Sequence, residues 1–289
     1  MAIGIKEPLP DNTAVKIAAI QMTSGHDIDA NLEAAGRFLS DAARQGAVLA
    51  ALPENFAFMG KDSGDKRAIA EPDGAGKIQN FLADSARRLK LWIVGGTVPL
   101  LSSTAGGGDG RVSASSLVYD ADGKRAARYD KIHLFDVDVP GSVESHRESA
   151  HTLPGRDPQL VDTPAGKLGL SVCYDMRFPE LFRVLSRQGA DVFAVPAAFT
   201  VPTGRAHWES LLRARAIENL CALIAPAQWG VHPNGRETYG DSLILDHWGN
   251  VLARLPDGTG AIVADLDAAA RREARRKFPA LGHRVIFAT

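Results

Sequence analysis

Gly166-Lys-Leu-Gly-Leu-Ser-Val-Cys173-Tyr-Asp-Met-Arg-Phe-Pro-Glu180 is a short apolar run that stops at a cysteine and breaks at once into a polar turn. Phe178-Pro-Glu-Leu181 then opens a segment with helical spacing, and proline is tolerated at a helix start because its missing N–H falls on an unbonded position. The stretch reads as strand, turn, helix. A cysteine at that junction can be held at the mouth of a pocket, with free backbone N–H groups ready to meet an anion. A thiolate there is a nucleophile. The alternative is a thiol that only fills space, free cysteine being among the most buried residue types.

The same alternation extends along the chain in both directions. Val15 to Met22 reads as a strand, and Ile28 to Gln45 as a helix with Leu32, Ala35, Phe38, Leu39 and Ala42 on one face and Gly46 at its end. Ala47 to Leu52 is a buried strand, Ile78 to Leu89 a helix, and Leu91 to Val98 and Ser115 to Tyr119 are strands. Beyond Cys173 come a helix from Pro179 to Gln188, a strand from Asp191 to Val195, a helix from Ala206 to Asn219 and a strand from Ala222 to Ala225. Ser242–Leu245 and Val251–Arg254 form a hairpin through Trp248-Gly-Asn250. A strand from Ala261 to Leu266 and an Arg-rich helix from Ala268 to Lys277 follow. Apolar strands that repeatedly feed helices, with no linker between them, predict one α/β domain whose sheets are covered by helices. No sequence repeat is visible. Ser102 to Gly110 is glycine-rich but lacks the Gly-Lys-Ser/Thr ending of a phosphate loop, and reads as a hairpin loop.

The 289 residues are 45% hydrophobic and 23% charged, with a net charge of −1, which describes a soluble globular protein without a basic field for nucleic acid. Two cysteines, Cys173 and Cys221, imply no disulfide framework. The first ten residues do not read as a signal peptide, and no apolar window reaches membrane-spanning length. The cytoplasm is the expected compartment.

A cysteine nucleophile needs a base, a charge stabiliser and an oxyanion site. None of the eight histidines sits in a setting that marks it as the base; His133 and His207 read as structural or surface residues. There is no Cys-x-x-Cys and no His-Glu-x-x-His, so no metal site is expected. Glu54, in Leu52-Pro-Glu-Asn55, is a carboxylate caught between apolar runs, and Lys131, in Tyr129-Asp-Lys-Ile-His-Leu-Phe135, stands beside aromatic and apolar neighbours. Alone, each reads as an ordinary surface residue. Together, Glu54 closes one strand, Lys131 follows another and Cys173 closes a third, which is how α/β proteins collect a site from strand ends distant in the chain. Cys221, in apolar surroundings, reads as core.

Those three contexts, with Cys173-Tyr-Asp-Met-Arg-Phe-Pro-Glu-Leu181 for the cysteine, resemble the nitrilase superfamily of carbon–nitrogen hydrolases over roughly residues 15–285. The resemblance implies a Glu54–Lys131–Cys173 triad and places a second glutamate on Glu148, with Glu144 close by. It also divides the chain into an N-terminal extension (1–14), a hydrolase domain (15–285) and a short tail (286–289). Phe135–Gly141, Phe199–Gly204 and His207–Asn219 are similar to the Nit branch. Ala227-Gln-Trp-Gly230 and Tyr239-Gly-Asp-Ser242 look closer to its deaminated-glutathione amidases than to its ω-amidases. Asp241 departs from the pattern, standing where animal members are expected to carry histidine.

The fold so implied is a single-domain α/β, four-layer α-β-β-α sandwich. The activity so implied is cofactor-free hydrolysis of a small linear amide through a thioester, with release of ammonia or an amine. Glu54 is expected to be a base whose pKa burial raises. Lys131 and the backbone N–H of Tyr174 are expected to hold the oxyanion, and Glu148 to orient Lys131 or the substrate. Arg177 is the candidate partner for a substrate carboxylate, with Thr200 and Thr203 as hydroxyl donors; the alternative for Arg177 is an ion pair with Glu180 or another nearby acid. Tyr174, Trp208 and Trp229 either wall the pocket or pack the core. A homodimer or higher homo-oligomer is expected, with the 206–219 helix as a contact. The rivals are an ω-amidase acting on α-ketoglutaramate, a papain-like Cys–His hydrolase, and a scaffold protein with a vestigial site.

Overall fold

The computed structural model describes residues 14–61, 63–101, 110–139 and 145–286. Glu144, most of the 102–110 loop, nearly all of the N-terminal extension and residues 287–289 of the tail lie outside them.

The first half of the chain builds one sheet. Its strands are β1 (Val15–Gln21), β2 (Ala47–Ala51), β3 (Trp92–Val94), β4 (Val98–Leu101), β5 (Val112–Tyr119) and β6 (Arg125–Asp130). A small hairpin, β7 (Asp136–Asp138) with β8 (Ser145–Arg147), and a short strand, β9 (Thr152–Leu153), follow. The second sheet takes β10 (Leu160–Thr163), β11 (Gly166–Leu170), β12 (Val192–Ala194) and β13 (Ala222–Ala225). A hairpin of β14 (Trp229–Val231) and β15 (Glu237–Tyr239) intervenes before β16 (Ser242–Leu245) and β17 (Val251–Leu255) complete it. The last strand, β18 (Gly260–Leu266), returns to the first sheet and pairs antiparallel with β1. The main orders are β18-β1-β2-β3-β5-β4 and β10-β11-β12-β13-β16-β17.

Each sheet has the same heart. Helices α1 (Ile28–Arg44) and α2 (Lys77–Leu89) cross between the parallel strands β1, β2 and β3. Helices α3 (Pro179–Arg187) and α4 (Val201–Asn219) do the same between β11, β12 and β13. This is one βαβαβ connection used twice, although no repeat is legible in the residues.

Both faces of the first sheet are buried, and the two-residue period of a strand sorts its side chains between them. Ile17, Ala19, Leu49 and Ala51 join the core between the sheets. Ala18, Ile20, Ala50 and Leu52 join a second core beneath α1 and α2, with Leu32, Leu39, Ile78 and Leu82. On the second sheet, Phe182 and Leu185 of α3 and Trp208, Leu212 and Ala216 of α4 cover the outer face. The layers are therefore helix, sheet, sheet, helix, as expected. A fifth helix, α5 (Ala268–Lys277), is tied down by Arg271 and Arg275, each 3.0 Å from Asp191 beside the start of β12.

Some boundaries differ from the sequence reading. The run from Leu91 to Val98 is two strands, because Gly95 and Gly96 break it. Gly96 has φ +48°, and a Cβ there would lie 2.0 Å from the Pro53 carbonyl oxygen, so only glycine lets this turn press against the loop that carries Glu54. Helix α4 starts at Val201 rather than Ala206. Its proline sits in the first turn, where it costs no hydrogen bond, and Gly204 allows close contact with the Tyr239 ring. Strand β6, the β7/β8 and β14/β15 hairpins, and β9 and β10 were not anticipated. Among the described residues no helix is long and apolar enough to cross a membrane.

Candidate active site

The three residues singled out at strand ends meet between the sheets. Glu54 follows β2, Lys131 directly follows β6, and Cys173 follows β11 after two residues. All three are buried, at 5%, 1% and 8% exposure. The Lys131 Nζ donates to Glu54 Oε1 at 2.9 Å and to Glu148 Oε2 at 2.8 Å, so one ammonium bridges two carboxylates. Glu148 also accepts the Phe135 N–H at 2.7 Å, and Glu54 Oε2 accepts the Ala198 N–H at 3.0 Å. The Lys131 Nζ also lies 3.1 Å from Glu148 Oε1, so the hydrogen bonds of this three-proton donor among the described residues are all to carboxylate oxygens.

The backbone around each side chain is pinned. Gln228 Nε2 donates to the Glu54 carbonyl at 3.1 Å, and the Asn55 N–H donates to Thr97 Oγ1 at 2.8 Å. The Lys131 carbonyl accepts from Gly155 N–H at 2.8 Å. Cys173 begins a short 3-10 helix (Cys173–Arg177) with φ +48°, a left-handed conformation unusual for a residue with a side chain. Its N–H bonds to the Pro196 carbonyl at 2.9 Å. Asp175 clamps the turn from below: it is fully buried and accepts from Val172 N–H (2.8 Å), Tyr129 Oη (2.7 Å) and His133 N–H (3.0 Å). The Tyr174 N–H donates to no acceptor among the described residues, as expected for the first turn of a helix, and is available to an oxyanion.

Charge at the site is governed by the shared ammonium. Burial pushes the Glu54 carboxyl up, but the Lys131 and Lys66 ammoniums outweigh it and hold Glu54 below its ordinary 4.5. This corrects the sequence expectation, which had burial alone and therefore a raised value. Burial pushes Lys131 down, yet Glu148 and Glu54 more than compensate, so it stays charged well above the ordinary lysine value. Burial pushes the Cys173 thiol up, with Glu54 adding to the effect, so the resting sulfur carries its proton. The arrangement is an ionised carboxylate, a permanent ammonium and a neutral thiol.

These groups line one cavity. Every residue expected at the site lines it: Glu54, Lys131, Glu148, Cys173, Tyr174, Arg177, Thr200 and Thr203. Arg177 does not pair with Glu180. It lies over the Tyr174 and Phe199 rings, 5.8 and 5.4 Å from their centroids, with its Nη1 3.3 Å from His207 Nδ1, and has no ion pair among the described residues. Thr200 and Thr203 bond each other through their hydroxyls at 2.8 Å. Trp208 is core, its indole N–H donating to the Asp241 carbonyl at 2.8 Å, and Trp229 packs on Gly240; neither walls the cavity. Cys221 is buried, as expected. Asp241 is engaged by Arg254 at 2.6 and 2.9 Å.

The sequence reading missed Lys66, Arg236, His146, Phe135 and Phe199 as lining residues. The phenylalanines were within reach, since both begin segments already singled out. Lys66 and Arg236 sit in polar stretches where a charge ordinarily means solvent.

The family model described as carbon–nitrogen hydrolase matches residues 16–276. A deaminated glutathione amidase from Synechocystis sp. is 43% identical over 270 residues, covering 93% of this chain and 97% of that protein. Among solved structures, the Caenorhabditis elegans NitFhit protein superposes with a TM-score of 0.86 at 36% identity over 94% of this chain; the chain spans 65% of that protein's length. Saccharomyces cerevisiae Nit3, a member of branch 10 of the nitrilase superfamily, superposes with a TM-score of 0.82 at 30% identity, covering 92% of this chain and 94% of that one.

Proposed function

The chain belongs to the carbon–nitrogen hydrolase family, and on that premise we propose that Cys173, Glu54 and Lys131 hydrolyse the amide of a small α-keto acid, with deaminated glutathione as the substrate. The family makes it a hydrolase of carbon–nitrogen bonds other than peptide bonds. The observation that carries the residue roles is the buried Glu54–Lys131–Glu148 bridge beside Cys173.

The chemistry follows from the charges. As the Cys173 sulfur bonds to the amide carbon, its proton passes to the ionised Glu54, and the carbonyl oxygen becomes an oxyanion held by the Lys131 ammonium and the Tyr174 N–H. Glu54 does not need a raised pKa for this, because the thiol proton leaves only as the C–S bond forms. Collapse breaks the C–N bond, and Glu54 gives its proton to the departing amine. Water then attacks the thioester, losing a proton to Glu54. The C–S bond breaks, the sulfur regains a proton, and amide plus water have become acid plus amine. Glu148 keeps Lys131 aimed and charged. Arg177, unpaired over its two rings, takes the carboxylate next to the keto group, with the Thr200 and Thr203 hydroxyls alongside.

The Synechocystis relative carries the name deaminated glutathione amidase, which supports that substrate over α-ketoglutaramate, the smaller amide with the same acyl group. A reducing compartment such as the cytoplasm suits two free, buried cysteines. We keep a homo-oligomer through α4 as part of the proposal, and chain boundaries for the hydrolase unit of 15–285.

The test is mass spectrometry of the protein quenched during turnover of deaminated glutathione and of α-ketoglutaramate. The expected result is an acyl adduct on Cys173, lost in Cys173→Ala together with turnover. Hydrolysis that survives Cys173→Ala, or inactivity toward both amides, would overturn it.

A further inference from the structure

Two cations in the cavity take no part in the bond-making above, although Lys66 helps to hold Glu54 ionised. Lys66 enters from the 3-10 turn Ser63–Arg67, and Arg236 from the start of β15. Among the described residues no carboxylate lies within ion-pair distance of either, and the Lys66 ammonium makes no hydrogen bond. Arg236 donates through Nη2 to the Ala198 carbonyl at 3.0 Å, while its Nε is buried without a partner.

The balance of charge is informative. Among the described residues that line the cavity, Lys66, Lys131, Arg177 and Arg236 face only Glu54 and Glu148, and Lys131 already engages both carboxylates. The described lining of the cavity therefore carries an excess of positive charge. A cation that gives up water without gaining a partner is costly. Burial depresses Lys66, and the nearby Lys131 and Arg236 add to this against the pull of Glu148 and Glu54. An arriving anion relieves all of these strains.

Position says which anion. The leaving amine departs past Glu54, because it must collect its proton there. Arg236 grips the carbonyl of Ala198, whose N–H holds Glu54, and Lys66 lies within the electrostatic reach of Glu54 and Glu148. Both therefore flank the amine end. Arg177 lies with Tyr174, Phe199 and His207.

We propose that Lys66 and Arg236 form a second anion subsite that takes a carboxylate carried by the leaving amine, so that the preferred amide is a dianion with an acid at each end. The proposal rests on the function assigned above and adds the residues that choose the amine. It explains why a pocket for amide hydrolysis carries more cations than the reaction uses.

The experiment compares two amides that share the α-ketoglutaryl group, one built on glycylglycine and one on glycylglycinamide, which differ only in terminal charge. The wild-type protein should favour the carboxylate form in kcat/KM by about 10- to 100-fold, the worth of a charge-assisted hydrogen bond. Lys66→Met and Arg236→Gln should each lower that ratio, chiefly through KM, and the double variant should bring it near one. Lys66→Arg should restore it. A purely structural defect would lower both amides alike and leave the ratio standing, so Lys66→Met decides the question even if the arginine variant fails to fold. Equal use of the two amides by the wild-type protein, or a ratio unmoved in Lys66→Met, overturns the subsite and leaves the assigned reaction intact. Inactivity toward both overturns the assigned reaction and the subsite with it.

Discussion

Replacing Lys131 with Met keeps an unbranched apolar stem and removes the ammonium that joins Glu54 to Glu148. Contacts of 2.9 and 2.8 Å are lost together, in a place where the lysine is 1% exposed. Taking one partner from a buried ion pair leaves an uncompensated charge and costs about 3–5 kcal/mol. For a chain of this size that is roughly 5–8 °C in the melting midpoint. The pH dependence gives the sharper signature. In the wild-type protein Glu54 sits below 4.5, so its stabilising contribution is complete above that value and fades as the pH falls through its folded pKa. Without the Lys131 ammonium, of the two cations only Lys66 still opposes burial, and the Glu54 carboxyl moves up. The variant then gains stability relative to the wild type as acid neutralises that carboxyl. The difference in midpoint should therefore be widest near neutral pH and shrink toward about pH 4. Turnover should fall by about 100- to 1000-fold from loss of an oxyanion donor, with an acid limb displaced upward. Circular dichroism melts across that range, alongside steady-state kinetics, provide the measurement. A midpoint difference that stays constant or widens on acidification would refute the shared-ammonium account.

Three other outcomes follow from the same geometry. In the wild-type protein the acid limb of kcat/KM should lie below pH 4.5, since Glu54 is held under its ordinary value; a limb above 6 would mean that the carboxyl is raised after all. Arg177→Met should raise KM for α-keto amides by about 10-fold or more with little change in kcat, and an unchanged KM would remove Arg177 from the acyl end. Asp175→Ala strands Val172 N–H, Tyr129 Oη and His133 N–H in a buried turn. It should cost about 3 kcal/mol or more in denaturant unfolding, and a loss within experimental error would show that the turn does not depend on it.

What was legible in the chain was whatever burial writes as pattern. Strands β1, β2 and β13 are covered on both faces, so they are continuous apolar runs and their limits were nearly right. Strand β6, Arg125-Ala-Ala-Arg-Tyr-Asp130, buries only Tyr129 and pairs with β5 alone, and so left no such mark. The three candidate residues were legible because Glu54, Lys131 and Cys173 each interrupt or end an apolar context. Lys66 and Arg236 do neither. Their place at the cavity is set by how the Ser63–Arg67 turn and the β14/β15 hairpin fold over it, and a polar stretch does not record which of its charges turns inward. The same blindness reversed the direction for Glu54: its burial could be inferred, but two neighbouring cations from distant segments could not.

The turn that presents Cys173 should carry measurable strain. Cys173 holds φ +48°, with its N–H fixed to Pro196 at 2.9 Å and the preceding N–H fixed to Asp175 at 2.8 Å. A residue with a Cβ gives up about 1–2 kcal/mol in this region, whereas glycine adopts it freely but loses about 0.5–1 kcal/mol of additional chain entropy on folding. Cys173→Ala and Cys173→Gly both lack the thiol, so the difference between them isolates the backbone. The glycine variant should be the more stable by about 0.5–1 kcal/mol, or roughly 1–4 °C, the reverse of the order at an ordinary strand position. If the alanine variant melts higher, the surrounding hydrogen bonds have accommodated the left-handed residue without cost, and the exposed angle of the sulfur would have to come from the strand end alone.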